Sequence, residues 1–184
     1  DLRVPIWELI INRPVIKALC PDLFGAEKIA RYEWGSAGGF LLQADFVERE
    51  NLDGITVFED IEIRRQIDAE TFVDEWGITW RTEEHGIPYA VGHPIQHEAD
   101  LDSYQAPDPD ADHRLHSLEL AVKRFKGEKC IVFLSHEAFE FSHYLRGMDN
   151  LLMDYALNPA FAHRVARVVM DYKKRVLERA ADMG

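Results

Sequence analysis

The chain holds 184 residues, enough for one ordinary domain with a sizeable core, and 47% hydrophobic against 29% charged residues is the balance of a folded globular protein. A formal net charge of −12 argues against recognition of nucleic acid or an anionic membrane surface through bulk electrostatics, while leaving room for a local basic pocket. No apolar run approaches the roughly 20 residues of a membrane helix and no signal-peptide pattern opens the chain, so a cytoplasmic location is the default expectation. Cys20 and Cys130 lack any C-x-x-C partner and supply neither a disulfide framework nor a self-contained zinc knuckle. The sequence starts at Asp1 without methionine and stops at "RAADMG" directly after helical spacing, which reads as a cut chain.

In chain order, "VPIWELII", residues 4–11, is a near-continuous apolar run of the kind a strand buried on both faces shows. The stretch 12–39 is punctuated by Pro14, Pro21, Gly25, Gly35 and the pair Gly38-Gly39, which leaves room only for short helices. Helical spacing over 40–49, "FLLQADFVER", and Gly54 lead into a second buried run, Ile55 to Phe58. Residues 61–91 change character: "IEIRRQID", "DEWGITWRTEE" and "GIPYAVGHPI" read as short, partly exposed strands of a hairpin excursion. A proline and aspartate loop, "DSYQAPDPDAD", precedes a helix that Asp112 can cap and Gly127 ends, with Leu115, Leu118, Val122 and Phe125 on one face.

"KCIVFLS", 129–135, is the third buried run. In the last helix, Asn158 at the cap and Pro159 in the first turn give a strong start, and Phe161, Val165, Val168, Val169, Tyr172, Val176 and Met183 continue an apolar stripe. Its basic residues Arg164, Arg167, Lys173, Lys174 and Arg175 read as a solvated face. Three buried strands with helical crossovers imply a parallel α/β sheet, closed either as an open doubly wound sheet or as a (β/α)8 barrel. Neither G-x-G-x-x-G nor G-x-x-x-x-G-K-[ST] follows a strand, which weakens nucleotide-binding versions of the open sheet.

The stretch "GITVFEDIE", 54–62, drives strand-forming residues straight into Glu59 and Asp60. An acid in that place is either a turn or cap residue or a carboxylate delivered to a site. "HPIQHE" puts His93 and His97 four apart, but without a third ligand these read as loop histidines rather than a zinc site. Trp76 and Trp80 are a wall for a planar ligand or, the safer reading, packing for the hairpin.

Together, "VPIWEL", "LDGITVFEDIE", "VDEWGITWR", "DLDSYQAPDPDADHR" and "SHEAFEFSHYLRGMDNLLMDYALNPAFAHRV" resemble, in that order, the first part of the uroporphyrinogen decarboxylase superfamily. The resemblance implies a (β/α)8 barrel, with 1–184 a single partial domain carrying the first three β/α units and a hairpin excursion over about 61–95; such barrels typically need about 250 residues. Members include cofactor-independent tetrapyrrole decarboxylases and methyltransferases that work with corrinoid proteins. "FED" resembles the Phe-Ser-Asp of the decarboxylases, which implies that Asp60 lies against pyrrole nitrogens as a hydrogen-bond acceptor. Against a decarboxylase stands "PIWELIINRP": two clamping arginines are expected after the first strand, whereas Asn12 follows isoleucines and Arg13 is one place out. The tyrosine expected after the third strand aligns with His143, with Tyr144 beside it.

The resemblance places Glu8, Asp60, Glu137 and Glu140 on one rim. Asp60 and Glu137 are then the candidate catalytic acids, with Trp7, Glu8, Glu140, His143 and Tyr144 as substrate contacts. On a helix beginning near Ser135, Glu137, Glu140 and Tyr144 share a face, and the alternative for both glutamates is compensation of the helix dipole. No metal ligand is assigned within the chain; zinc and a corrinoid are expected from residues beyond these or from a partner. The expected partner is a tetrapyrrole or a corrinoid protein, with a homodimer left open. The leading expectation is a methyltransferase-like member, the alternative a tetrapyrrole decarboxylase, and a third reading a non-catalytic binding subunit.

Overall fold

The computed structural model describes residues 4–24, 37–82 and 87–183. In chain order the elements are α1 (Arg13–Leu19), a 3-10 turn (Pro21–Phe24), α2 (Ala37–Arg49), β1 (Gly54–Phe58), β2 (Ile63–Gln66), β3 (Thr71–Asp74), β4 (Thr79–Arg81) and β5 (Tyr89–Gly92). They continue as α3 (Glu98–Ser103), a 3-10 turn (Asp112–Leu115), α4 (His116–Phe125), β6 (Cys130–Leu134), α5 (Ala138–Arg146), α6 (Met148–Leu157) and α7 (Pro159–Ala181). The chain divides into two compact units, one of residues 1–61, 112–134 and 183–184, the other of 62–111 and 135–182. The second unit thus enters the chain in two pieces, one after β1 and one after β6.

The first unit is built on β1 and β6, paired parallel and in register from Gly54 with Cys130 to Phe58 with Leu134. α4 precedes β6 in sequence and packs on both strands, while α2 packs on β1 and α4. A β-helix-β unit is what two apolar runs separated by an amphipathic helix produce. Arg124 of α4 clamps α2, donating from Nε to Glu48 over 2.8 Å and from Nη2 to Asp45 over 2.8 Å. Leu42 and Phe46 of α2 close over Ile16, Cys20 and Leu23 in a small apolar core. Gly54 is required by a close approach, because a Cβ there would stand 2.9 Å from Trp7 Cδ1 and 3.1 Å from the Cys130 carbonyl oxygen. Gly127, at φ +86°, ends α4 as its position suggests.

The second unit carries an antiparallel sheet in the order β2-β3-β4-β5 together with α3, α5, α6 and α7. β3, "TFVD", is a strand additional to the three segments legible in the sequence. Trp76, in the β3–β4 turn, is 1% exposed and packs edge-on to Tyr172 at 4.5 Å and against Phe141 at 4.8 Å between ring centres. Asn158 caps α7 by accepting from the Phe161 N–H, with Pro159 in the first turn as the sequence suggests. Along the outer side of α7, Arg164 pairs with Asp102, and Arg175 and Arg179 with Asp110. The basic stripe therefore ties down the aspartate-rich loop, a set of exposed pairs each worth little alone.

Asp74 holds the β3–β4 turn from inside. Its carboxylate, 1% exposed, accepts from the Ile78 N–H at 2.9 Å and from Trp80 Nε1 at 2.7 Å. Burial, against those two bonds, pushes its pKa up to about 6. An acid raised on folding contributes most below the ordinary aspartate range, and that contribution is lost as pH rises through about 6. Relative to the wild type, Asp74→Asn is therefore expected to gain on the order of 2–3 kcal/mol between pH 4 and pH 7.5, read from urea unfolding at both pH values. A gap between the two proteins that stays constant with pH would contradict this.

Several expectations need correction. Residues 4–11 form no strand: Val4, Ile6, Trp7, Leu9 and Ile10 are 41–78% exposed. A local exchange with Asp53 ties the segment to the entry of β1, with Asp53 N–H donating to the Ile6 carbonyl and Ile6 N–H to Asp53 Oδ2, but no ladder forms. An apolar run shows preference for burial, not which strand will pair with it. β6 is only half-buried, unlike β1. Lys173 is not on a solvated face: it is 3% exposed, its ammonium 3.9 Å from the centre of the Phe141 ring. Part of the short-helix expectation, residues 25–36, lies outside the described residues. The fold is mixed α/β with one small parallel and one antiparallel sheet, and among the described residues no barrel closes. No helix among them is long and apolar enough to cross a membrane.

Candidate functional site

Asp60 stands two residues past the end of β1 and its carboxylate is spoken for. Oδ1 accepts from the Ser117 hydroxyl at 2.6 Å and Oδ2 from the Ser117 N–H at 2.7 Å, at the first turn of α4. Asp60 N–H donates to the Arg114 carbonyl at 3.0 Å, and Arg114 Nη1, on a fully buried side chain, donates to the Asp60 carbonyl at 2.9 Å. The carboxylate thus caps a helix 57 residues further on and fastens the point where the chain leaves the first unit to the point where it returns. Burial raises its pKa, while both Ser117 bonds and the nearby His116 and His113 pull it down. Asp60→Ala is expected to cost about 1–2 kcal/mol in urea unfolding, and Asp60→Asn, which keeps one acceptor, less. Equal costs for the two would remove the cap from the account.

In the same unit, Trp7 Nε1 donates to Thr56 Oγ1 at 3.2 Å, and that hydroxyl lies 3.4 Å from the Glu8 carbonyl oxygen. The Glu8 side chain is exposed. Trp7 is 41% exposed and lies over the entry of β1 rather than in a core.

The other predicted residues belong to the second unit and gather on α5. Tyr144 donates its hydroxyl to Glu140 Oε1 at 2.8 Å, one turn apart, as their spacing suggests. His136 Nε2 stands 3.9 Å from the same oxygen. The His143 ring lies edge-on to Tyr144 at 4.2 Å, and Trp80 from β4 also meets Tyr144 edge-on at 4.8 Å. Trp80 is itself fixed by its bond to Asp74, so the buried acid positions the wall of this cluster. Burial and the Glu140 charge raise the Tyr144 phenol, which keeps its proton on the bond to Glu140. Burial holds His143 below the ordinary imidazole range, with Glu140 opposing and His93 assisting.

Glu137 does not join this face. Helix α5 begins at Ala138, and Glu137 is its extended, exposed N-cap residue with no side-chain capping bond. Glu140 sits in the first turn, where a carboxylate also favours the helix dipole. The structure therefore brings Glu140, His143 and Tyr144 together, sets Trp7 and Glu8 beside Thr56, and sets Asp60 on Ser117. His136 has a sequence signal that was available, its four-residue spacing to Glu140. The links of His93 to Tyr144 and of Ser117 to Asp60 have none, being 51 and 57 residues apart.

The His93 and His97 pair does not offer zinc the i, i+4 arrangement weighed from the sequence. The helix after "HPIQ" starts only at Glu98, with His97 as its cap, and His93 is held through Nδ1, so the two imidazoles are not set one helical turn apart. The buried Cys20 thiol points at Glu50 at 3.3 Å and burial pushes it up, which opposes a thiolate. A scan against protein-family models, a search of curated proteins and a search of solved structures each returned no match.

Proposed function

We propose that the chain is an enzyme of the uroporphyrinogen decarboxylase superfamily, built on the (β/α)8 plan and belonging to the methyltransferase-like branch that acts with a corrinoid-carrying protein. The observation that supports the reading is the in-register parallel pairing of β1 with β6, joined through a helix and interrupted by an antiparallel excursion; these correspond to the second and third of the three strands the resemblance implies, while the first, 4–11, forms no strand. Phe58 pairs with Leu134, so both strands end at the same edge, which in such a barrel is the catalytic one.

The branch is chosen by charge. Segment 4–11 offers no arginine pair to neutralise the carboxylates of a uroporphyrinogen, and leaving buried carboxylates unpaired costs several kcal/mol each. What the chain itself supplies is a carboxylate acceptor, Glu140, with the Tyr144 proton fixed on it, and an aromatic wall in Trp80. No step is assigned to zinc. The test is incubation with a methylated corrinoid protein and a thiol acceptor, following the loss of the methyl–cobalt absorbance. Loss in proportion to protein is expected, and an unchanged spectrum with every thiol tried would overturn the branch assignment.

Tetrapyrrole decarboxylation is the second reading, favoured by the place of Asp60 past β1. There the carboxylate would exchange its Ser117 donors for pyrrole N–H groups, its charge supported by the first turn of α4. Asp60→Asn would then abolish carbon dioxide release from uroporphyrinogen while costing little stability. A third reading, a binding subunit, is favoured by α6, whose Met148, Leu152, Met153, Tyr155 and Leu157 are 40–81% exposed. A native mass of one chain, about 21 kDa, would count against an obligate partner.

A further inference from the structure

Helix α6, Met148–Leu157, is apolar on the side that faces water as well as on the side that faces inward. Leu151 is fully buried, and Asp154 is committed to Arg146. On the water side Met148, Leu152, Met153, Tyr155 and Leu157 are 40–81% exposed, and Asp149 is the only charged residue among them. A helix that is apolar nearly all round belongs in an interior, not at a surface. Phe139 of α5, 43% exposed, extends the face: its ring is stacked on Tyr155 with centres 6.4 Å apart and planes 21° apart.

These six side chains leave about 600 Å² of surface in water, the upper end of the largest apolar patch on an ordinary monomer. Two such faces laid together remove up to about 1,200 Å², which reaches the size of a specific interface. The pattern also fits its own copy. Met148, Leu152 and Tyr155 recur at i, i+4 and i+7 and form one ridge with Leu152 at its middle. A two-fold axis through Leu152 sets the two helices antiparallel and brings Leu152 against itself. It also lays each Met148 over Tyr155 of the second copy, a thioether on a ring. The two Asp149 carboxylates then stand about 9 Å apart along the helices, not side by side as a parallel pair would put them. One charge on a face of this size gives a cationic partner almost nothing to pair with, and a net charge of −12 repels an anionic lipid surface.

We propose that α6 is the dimerisation surface of this chain, packing antiparallel on α6 of a second copy with Phe139 at the rim. Association removes apolar surface while bringing two acidic chains together, so the attraction is apolar and the long-range charge opposes it. Salt screens that repulsion beyond about 10 Å at 0.1 M, and the dimer tightens as salt is added, the reverse of a complex held by ion pairs. The face is the one on which the binding-subunit reading rests, and the proposal names its occupant. Methyl transfer or carbon dioxide release would remove that reading and leave the dimer untouched, whereas a monomeric mass removes the dimer and leaves both reactions open.

The test is sedimentation equilibrium of the whole chain from about 1 to 100 μM, the range in which an interface near the lower size limit dissociates. The mass is expected to rise toward twice the 21.2 kDa of one chain. The dissociation constant is expected to fall about threefold or more between about 0.05 M and about 0.5 M sodium chloride. Leu152→Glu sets two carboxylates against each other and is expected to weaken the dimer about a hundredfold, whereas Leu177→Glu, at an exposed site on α7, leaves it unchanged. Should Leu152→Glu fail to fold, Leu152→Cys in a Cys130→Ser background decides. Mild oxidation is expected to link two chains through it, Cys20 being buried, while Leu157→Cys, about 15 Å from its copy, gives no link. A mass of one chain at every concentration, a dimer that weakens with salt or survives Leu152→Glu, or no link through Leu152→Cys overturns the pairing.

Discussion

Replacing Arg146 by alanine is expected to lower the unfolding free energy by about 3–5 kcal/mol, because it breaks a largely buried ion pair and strands the acid. Its Nε meets Asp154 Oδ2 at 2.7 Å, with the two side chains only 12% and 13% exposed. The guanidinium also donates to the Gln96 carbonyl and lies over the Phe161 ring at 5.4 Å. One planar group therefore joins α5, α6, the stretch 93–97 and the first turn of α7, and only a guanidinium has the donors in the required directions. Arg146→Lys should keep the charge and still lose more than half of that energy. Urea unfolding followed by far-UV circular dichroism measures both variants. A loss below about 1 kcal/mol for alanine would mean that the contacts of Asp154 are replaced by water at no cost.

Trp76→Ala should be as damaging, about 3–5 kcal/mol, since it empties a large volume at the centre of the second unit. The indole is 1% exposed and is wedged between Phe141 and Tyr172. The Lys173 ammonium is 5.8 Å from its ring centre, so the cavity would also remove part of the aromatic surround of a buried cation. Trp76→Phe makes a sharper comparison: it keeps an aromatic face and deletes an indole N–H that has no acceptor among the described residues. A cost well under half of the alanine value is expected for it. Similar costs for the two would point to a hydrogen bond of that N–H rather than to packing.

What the sequence made legible is local. The cap Asn158 with Pro159 and the stripe running from Phe161 to Val176 announce α7 because helix starts and helix periodicity are written in neighbouring residues. Ile55–Phe58 and Ile131–Leu134 announce two strands by the same local logic. Segment 4–11 carries an equally apolar pattern and forms no ladder, since pairing depends on partners that a pattern of hydrophobicity does not name. Lys173 shows the same limit from the polar side: its charge belongs to a basic stripe, but Trp76 and Phe141, far off in the chain, decide that it is buried.

The candidate site divides in the same way. Glu140 and Tyr144 were legible as a pair because four residues on a helix put them together. Asp60 was legible as an acid at the end of a strand, but its Ser117 partner lies across the whole excursion, so the choice between cap and reactant was not. The bonds of His93 to the Tyr144 carbonyl and of Arg146 to the Gln96 carbonyl are invisible in the sequence, where "HPIQHE" suggests only loop histidines.

The parallel pairing of β1 with β6 is the claim on which the barrel plan and the proposed chemistry both depend. Interstrand nuclear Overhauser effects between backbone protons measure it directly. Contacts linking Ile55 with Ile131 and Val57 with Phe133 in the parallel pattern are expected. An antiparallel pattern, or no contact between these segments, would contradict it.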